Sequence, residues 1–223
     1  MRYAMVIDID KCVGCHTCEI ACKIENLTHY GNFRCRLLQV EQNRTPYPTW
    51  LRLSCCHCER PSCLAACPVK AITKEDNGLV AINQETCIGC GLCADACPYR
   101  SVIRSSGKQY FDVPTPYEEL AAPHQKHVAN KADKCTFCAH RLEKNMQPRC
   151  LTACISKVLH FGDLDAPDSP VSKLWKEATP LLNSSENGPS IAIIQKSNKH
   201  ANMSELDAAV KAAGPPNISC GLV

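Results

Sequence analysis

No run of about 18 successive apolar residues occurs in this 223-residue chain, so no single segment reads as a membrane-spanning helix. A basic excess is missing too: the formal net charge is +3 and the pI near 8.1, too little for the phosphate neutralisation that nucleic-acid binding needs. Asp8 and Asp10 stand where a signal peptide needs its apolar stretch, and that stretch has no Arg-Arg pair. The expectation is therefore a chain without a signal or transmembrane segment of its own. It would be cytoplasmic, or periplasmic only by co-export with a signal-bearing partner, and any membrane contact would come through a partner. Large apolar residues are scarce. Leu, Ile, Val and Phe together make about 21% of the chain, close to the composition at which a polypeptide no longer buries enough apolar surface to fold.

What the chain has instead is cysteine, 19 residues or about 8.5%. That density is usual in small disulfide-stapled secreted proteins, but 24.5 kDa is too long for that class. Sixteen of the cysteines fall into four groups. Cys12, Cys15, Cys18 and Cys22 are spaced C-x2-C-x2-C-x3-C, and Cys87, Cys90, Cys93 and Cys97 repeat that spacing 75 residues later at every position. Cys55, Cys58, Cys63 and Cys67 form the second group; Cys135, Cys138, Cys150 and Cys154 form the fourth. Their second halves match, Pro61-Ser-Cys-Leu-Ala-Ala-Cys67 against Pro148-Arg-Cys-Leu-Thr-Ala-Cys154.

Short β-branched runs follow three of the groups, at Val69 to Ile72, Val102-Ile103 and Val158 to Phe161, and predict a turn-helix-strand unit. After Asp165-Ala-Pro-Asp-Ser-Pro170 the cysteine pattern stops and a tail begins. Ser169 as N-cap and Pro170 at the first helical position predict a helix with Val171, Leu174, Trp175, Ala178 and Leu181 on one face. Ser190 to Ile194 reads as a strand, and Ser204 to Ala213 as a helix closed by Gly214.

Three chemistries compete for the sixteen cysteines. Disulfides fit poorly, because cysteines three apart in a helical turn bridge badly and the total is odd. Structural zinc uses paired C-x2-C units, whereas C-x2-C-x2-C wraps three thiolates around one short turn. Three thiolates from one loop with a remote fourth is the bacterial ferredoxin pattern of iron-sulfur ligation. A cysteine one helical turn past its trio faces the other side of the local structure, so clusters come in pairs. Cys55, Cys58 and Cys63 then take Cys97, while Cys87, Cys90 and Cys93 take Cys67. By the nested symmetry, Cys12, Cys15 and Cys18 take Cys154, while Cys135, Cys138 and Cys150 take Cys22. Every iron is closed, so no catalytic residue is expected and the chain should carry electrons without bond chemistry.

Four such motifs in this order, with Cys55-Cys-His-Cys-Glu-Arg-Pro61, Cys97-Pro-Tyr-Arg100 and Cys135-Thr-Phe-Cys138, resemble the four-cluster iron-sulfur subunits of the molybdopterin oxidoreductase (dimethyl sulfoxide reductase) family. The resemblance covers residues 3 to about 165. It implies an α+β fold of two pseudo-symmetric ferredoxin-like halves, residues 1–50 with 113–165 and residues 51–112, followed by a C-terminal α/β packing tail at 166–223. It implies four 4Fe-4S clusters, since all sixteen cysteines are kept. A molybdenum or tungsten bis-pterin catalytic subunit is implied as partner, with a membrane quinone-reactive subunit or a soluble carrier at the other end. The cluster on Cys12, Cys15, Cys18 and Cys154 would face the catalytic subunit, which would act on an oxyanion, a sulfur compound or a hydroxylated aromatic. A polyferredoxin serving a hydrogenase or formate dehydrogenase is the alternative, and a zinc-bound scaffold the non-redox one.

Other features carry less. Gly89-Cys-Gly-Leu-Cys-Ala94 matches a dinucleotide fingerprint, but two of its residues are expected ligands. Cys56 competes in register with Cys55, which preserves C-x2-C. Cys35, Cys56 and Cys220 read as buried or free thiols, and His16, His57 and His140 as packing residues more than ligands. Lys11, Lys23, Arg100, Lys134 and Lys157 flank the motifs, where they would raise cluster potentials or simply be solvated.

Overall fold

The computed structural model describes residues 1–42, 46–108, 116, 128–182 and 186–214. Cys220 and most of the link between residues 109 and 127 lie outside the described residues. Strand β1 (Tyr3–Asp8) is an apolar run with its four inner residues buried, the pattern of a strand covered on both faces. It pairs antiparallel with β8 (Leu159–Asp163) and parallel with β10 (Ile191–Ile194), which pairs in turn with β9 (Thr179–Pro180). The sheet order is β8-β1-β10-β9. The tail therefore supplies an interior strand of the main sheet.

Side chains alternate across that sheet. Met5, Ile7, Ile191 and Ile193 enter the main core, while Val6 and Ile194 face the other way and meet Val171 of helix α6 (Pro170–Trp175). The remaining strands form three hairpin-like pairs: β2 (Cys35–Val40) with β3 (Thr49–Ser54), β4 (Ile72–Lys74) with β5 (Val80–Ile82), and β6 (Ile103–Arg104) with β7 (Ala132–Asp133). Helix α1 (Thr17–Asn26) and four single turns carry most of the helical content: α2 (Ser62–Ala65), α3 (Leu92–Asp95), α4 (Ala139–Leu142) and α5 (Arg149–Thr152). Helix α7 (Met203–Ala212) opens with a capping box between Asn202 and Glu205 and buries Leu206 and Val210. Mixed helices and small sheets make an α+β fold. Among the described residues no helix is long and apolar enough to cross a membrane.

Two expectations need correction. The tail helix caps as anticipated, Ser169 accepting from the Ser172 N–H, but it ends at Trp175 and does not reach Leu181. Pro180 has no N–H and restricts Thr179 to extended backbone, so this pair joins the sheet as β9. The strands after the cysteine groups begin later than their apolar runs, at Ile72, Ile103 and Leu159. Lys70, Arg100 and Lys157 hold left-handed backbone at φ 51, 50 and 51°, which turns the backbone before it extends.

Candidate metal centres

Each cysteine group is a loop closed by one helical turn. The third cysteine of each trio rides on that turn: Cys18 on α1, Cys63 on α2, Cys93 on α3 and Cys150 on α5. Pro61 and Pro148 sit just before α2 and α5, where a missing N–H costs nothing. The N–H groups of Lys70, Arg100 and Lys157 donate to the carbonyls of Cys67, Cys97 and Cys154 at 3.2, 3.1 and 3.3 Å, the same turn three times. Cys22 differs, because α1 runs on to Asn26 and carries it inside the helix.

Two loops press against the rest of the protein at glycine. A Cβ at Gly14 (φ +66°) would lie 2.2 Å from Trp50 Cε2, and one at Gly89 (φ +71°) 2.2 Å from the Asn130 carbonyl oxygen. These equivalent positions of the first and third groups tolerate no side chain and need the left-handed region.

The fold brings thiols of different groups near one another. The electrostatic neighbours of Cys12 include Cys18, Cys154 and Cys15. Those of Cys135 include Cys22, Cys150 and Cys138, and those of Cys58 are Cys55, Cys97 and Cys63. Cys67, Cys87, Cys90 and Cys93 line one cavity, walled by Val69 and Ile72 among other apolar side chains. Cys15 and Cys90 are the two exposed members, one in each of two different quartets.

The donor sets fit iron-sulfur cubanes. Each holds four thiols, and backbone N–H groups point at sulfur: Ala71 at Cys67 (3.2 Å), Gly89 at Cys87 (3.4 Å), Phe137 at Cys135 (3.4 Å) and Ser101 at Cys97 (3.5 Å). Among the described residues no three His, Cys, Asp or Glu side chains converge as one ion requires.

Burial sets the thiol acidities. It pushes Cys58 and Cys63 up to about 12 and Cys93 and Cys138 up to about 11. Iron held by these thiols would have to displace their protons, which would couple cluster assembly to pH. Cys18 runs the other way, down to about 6, chiefly through the neighbouring Cys35 thiol, which donates to the Cys18 carbonyl at 3.4 Å, and Cys22 is lowered by the same neighbour.

The quartets adjoin in series. Cys35 spans Cys18 and Cys22 of two quartets, and fully buried Arg52 reaches Cys150 at 3.4 Å. Lys134, 2% exposed, donates to the carbonyls of Val80 and Cys135 and acts on Cys63, while His57 stacks on Phe137 at 4.1 Å. Cys63 in turn neighbours Cys93.

The remaining sequence candidates resolve into packing. His16 pairs with Glu19 and His140 with Glu25, while buried His57 accepts from the Val80 N–H. The Cys56 thiol turns away to the Ser54 carbonyl at 3.5 Å. Lys11 pairs with Asp8, and Lys23 is held by the carbonyls of Thr28, His29 and Asn32. Arg52 is absent from the sequence candidates. Its only signal there is an arginine inside the otherwise apolar run Trp50-Leu-Arg-Leu53, three residues before the second motif begins at Cys55.

A family model described as a 4Fe-4S dicluster domain matches residues 49–116 and 109–164, and one described as a 4Fe-4S binding domain matches residues 9–31. A tetrathionate reductase subunit of Salmonella typhimurium is 34% identical over 85% of this chain and 70% of its own length. The arsenate respiratory reductase iron-sulfur subunit of Shewanella is 33% identical over 84% of this chain and 93% of its own. A polysulfide reductase component of Wolinella succinogenes is 33% identical over 78% and 82%. With its 4Fe-4S cysteine motifs and these relatives, the protein belongs to the iron-sulfur subunits of the molybdopterin reductases, electron-transfer subunits that are not themselves catalytic.

Proposed function

We propose that the chain is a four-cluster wire between a molybdenum or tungsten bis-pterin catalytic subunit and a second redox partner. Its ligand sets are Cys12, Cys15, Cys18 and Cys154; Cys22, Cys135, Cys138 and Cys150; Cys55, Cys58, Cys63 and Cys97; and Cys67, Cys87, Cys90 and Cys93. The observation that carries this reading is the proximity of Cys12 to Cys154, at opposite ends of the cysteine-bearing sequence. Only crossed ligation gives both of them a place in one quartet. When bound, a 4Fe-4S cluster accepts and returns single electrons.

The chain's own residues hold the clusters, exclude water and set the order of hand-over. The neighbour relations favour the route from the Cys12 quartet through the Cys135 and Cys58 quartets to the Cys87 quartet. Both ends carry an exposed thiol, Cys15 and Cys90, beside exposed apolar side chains, Val13 and Ile155 at one and Ile88 and Leu92 at the other. Those patches suit partner contacts at the two termini of a wire, with the catalytic subunit at the Cys15 end. A membrane quinone-reactive subunit or a soluble carrier takes the Cys90 end, and the catalytic partner decides the compartment. The cysteine repeats support two pseudo-symmetric ferredoxin-like halves, residues 1–50 with 113–165 and residues 51–112, with 166–223 as packing tail. Relatives named as reductase subunits favour this reading over a hydrogenase polyferredoxin.

Anaerobic metal analysis of the native complex tests it: about sixteen irons per chain are expected from four cubanes. A value near twelve removes one cluster, and zinc near four with no iron removes the reading.

A further inference from the structure

The Cys12 and Cys135 quartets meet at a dry junction with one full cation inside it. Arg52 sits in β3 between Leu51 and Leu53, all three 2% exposed or less. Its Nη1 donates to Ser54 Oγ at 3.0 Å and touches Met5 Sδ at 3.6 Å, and its Nη2 donates to Cys150 Sγ at 3.4 Å. Nε is buried with no hydrogen-bond partner. The neighbouring arginines are satisfied differently, Arg34 by Asp133 and Arg141 by Glu25. Among the described residues Arg52 has no carboxylate partner.

A guanidinium stripped of water and left without a counter-charge is strongly disfavoured. What faces this guanidinium is sulfur: Cys150 Sγ lies 3.4 Å from Nη2, and Cys35, Cys18 and Cys135 are among its electrostatic neighbours. The ligand sulfurs among them belong to both quartets, and Cys35 Sγ donates to the Cys18 carbonyl at 3.4 Å. A cubane on four thiolates is net negative, and one unit more so after accepting an electron.

We propose that Arg52 is the shared counter-ion of the two clusters at this junction, stabilising the reduced form of each and raising both reduction potentials. The inference rests on the ligand sets proposed above. Arg52 touches ligand sulfur and acts on potential through charge; it is a positioning residue and not a catalytic one. An arginine that merely fills space would leave the potentials unmoved by a change of charge at constant size.

The test is a potentiometric titration, followed by electron paramagnetic resonance, of the native complex carrying the wild-type sequence, Arg52→Met or Arg52→Lys. Arg52→Met should lower the midpoints of the Cys12 and Cys135 clusters by at least tenfold in the one-electron equilibrium constant, about 59 mV each. The other two clusters should keep theirs, and Arg52→Lys should restore most of the loss. Unmoved midpoints, or equal shifts in both variants, with full iron content overturn the role of Arg52 and leave the cluster reading intact. Iron missing from the wild-type complex overturns both. Wild-type complex labelled with guanidino-15N arginine gives a readout that needs no charge-removing variant. A 15N hyperfine coupling to the reduced junction clusters, lost in Arg52→Lys, is expected, and its absence overturns the proposal.

Discussion

Glu25 at the end of α1 gathers a histidine and two arginines from the fourth motif: His140 Nε2 at 2.9 Å, Arg141 Nη1 at 3.1 Å and Arg149 Nε at 3.9 Å. Partial burial alone pushes its carboxyl up, but the hydrogen bonds from His140 and Arg141 outweigh that and hold it below its ordinary 4.5. A lowered folded-state value means that the contribution to stability is complete above pH 4.5 and fades as pH falls through the lowered value. Glu25→Gln should therefore cost about 1 kcal/mol at pH 7, the size of a part-exposed charged hydrogen bond. The difference from wild type in denaturant midpoint should shrink below pH 4.5; a difference constant with pH contradicts the assignment. Single residues divide sharply in how legible they are in the sequence. The sixteen ligand candidates announce themselves by spacing, because three thiolates on one short loop need fixed intervals. Arg52 and Cys35 do not, since their environment is made by strands pairing across the protein, Cys35 opposite Ser54 and Arg52 opposite Leu37. No local pattern encodes that.

Among the elements, the helical turns and their strands are legible and their limits are not. The turn after Cys67, Cys97 and Cys154 uses positive φ at Lys70, Arg100 and Lys157, residues whose type does not advertise it. The tail departs furthest from its pattern in where it lies. Its strand β10 is buried at all four positions and lies between β1 and β9, and Trp175 packs with the Val6, Val171 and Ile194 cluster behind the sheet. Such a parallel pairing of β1 with β10 joins residues almost 190 apart, which periodicity cannot foresee. The element thus braces the cluster-bearing body. Removing residues 171–223 strips the buried side chains of Ile191, Ile193 and Ile194 plus Leu206 and Val210, at about 1.5–3 kcal/mol each. That total rivals the stability of an entire domain. The truncated protein should fail to retain iron after purification, measured by metal content and the visible charge-transfer band; a truncation with full iron would assign the tail to a partner surface instead.

At the scale of the molecule, scarce apolar residues and abundant cysteines are one design. A protein with about 21% Leu, Ile, Val and Phe gains through metal-thiolate bonds what its core lacks, because binding free energy at a site absent from the unfolded state is folding free energy. In the proposed crossed quartets the thiols would also fix the topology, tying residue 12 to residue 154 and residue 22 to residue 135. The most direct test of that account is the pair of variants Cys154→Ser and Cys22→Ser, followed by electron paramagnetic resonance of the reduced complex. Cys154→Ser should perturb the cluster on Cys12, Cys15 and Cys18 and leave that on Cys135, Cys138 and Cys150 nearly normal, with Cys22→Ser giving the mirror result. If each substitution instead damages the cluster of its own motif and spares the other, crossed ligation is wrong.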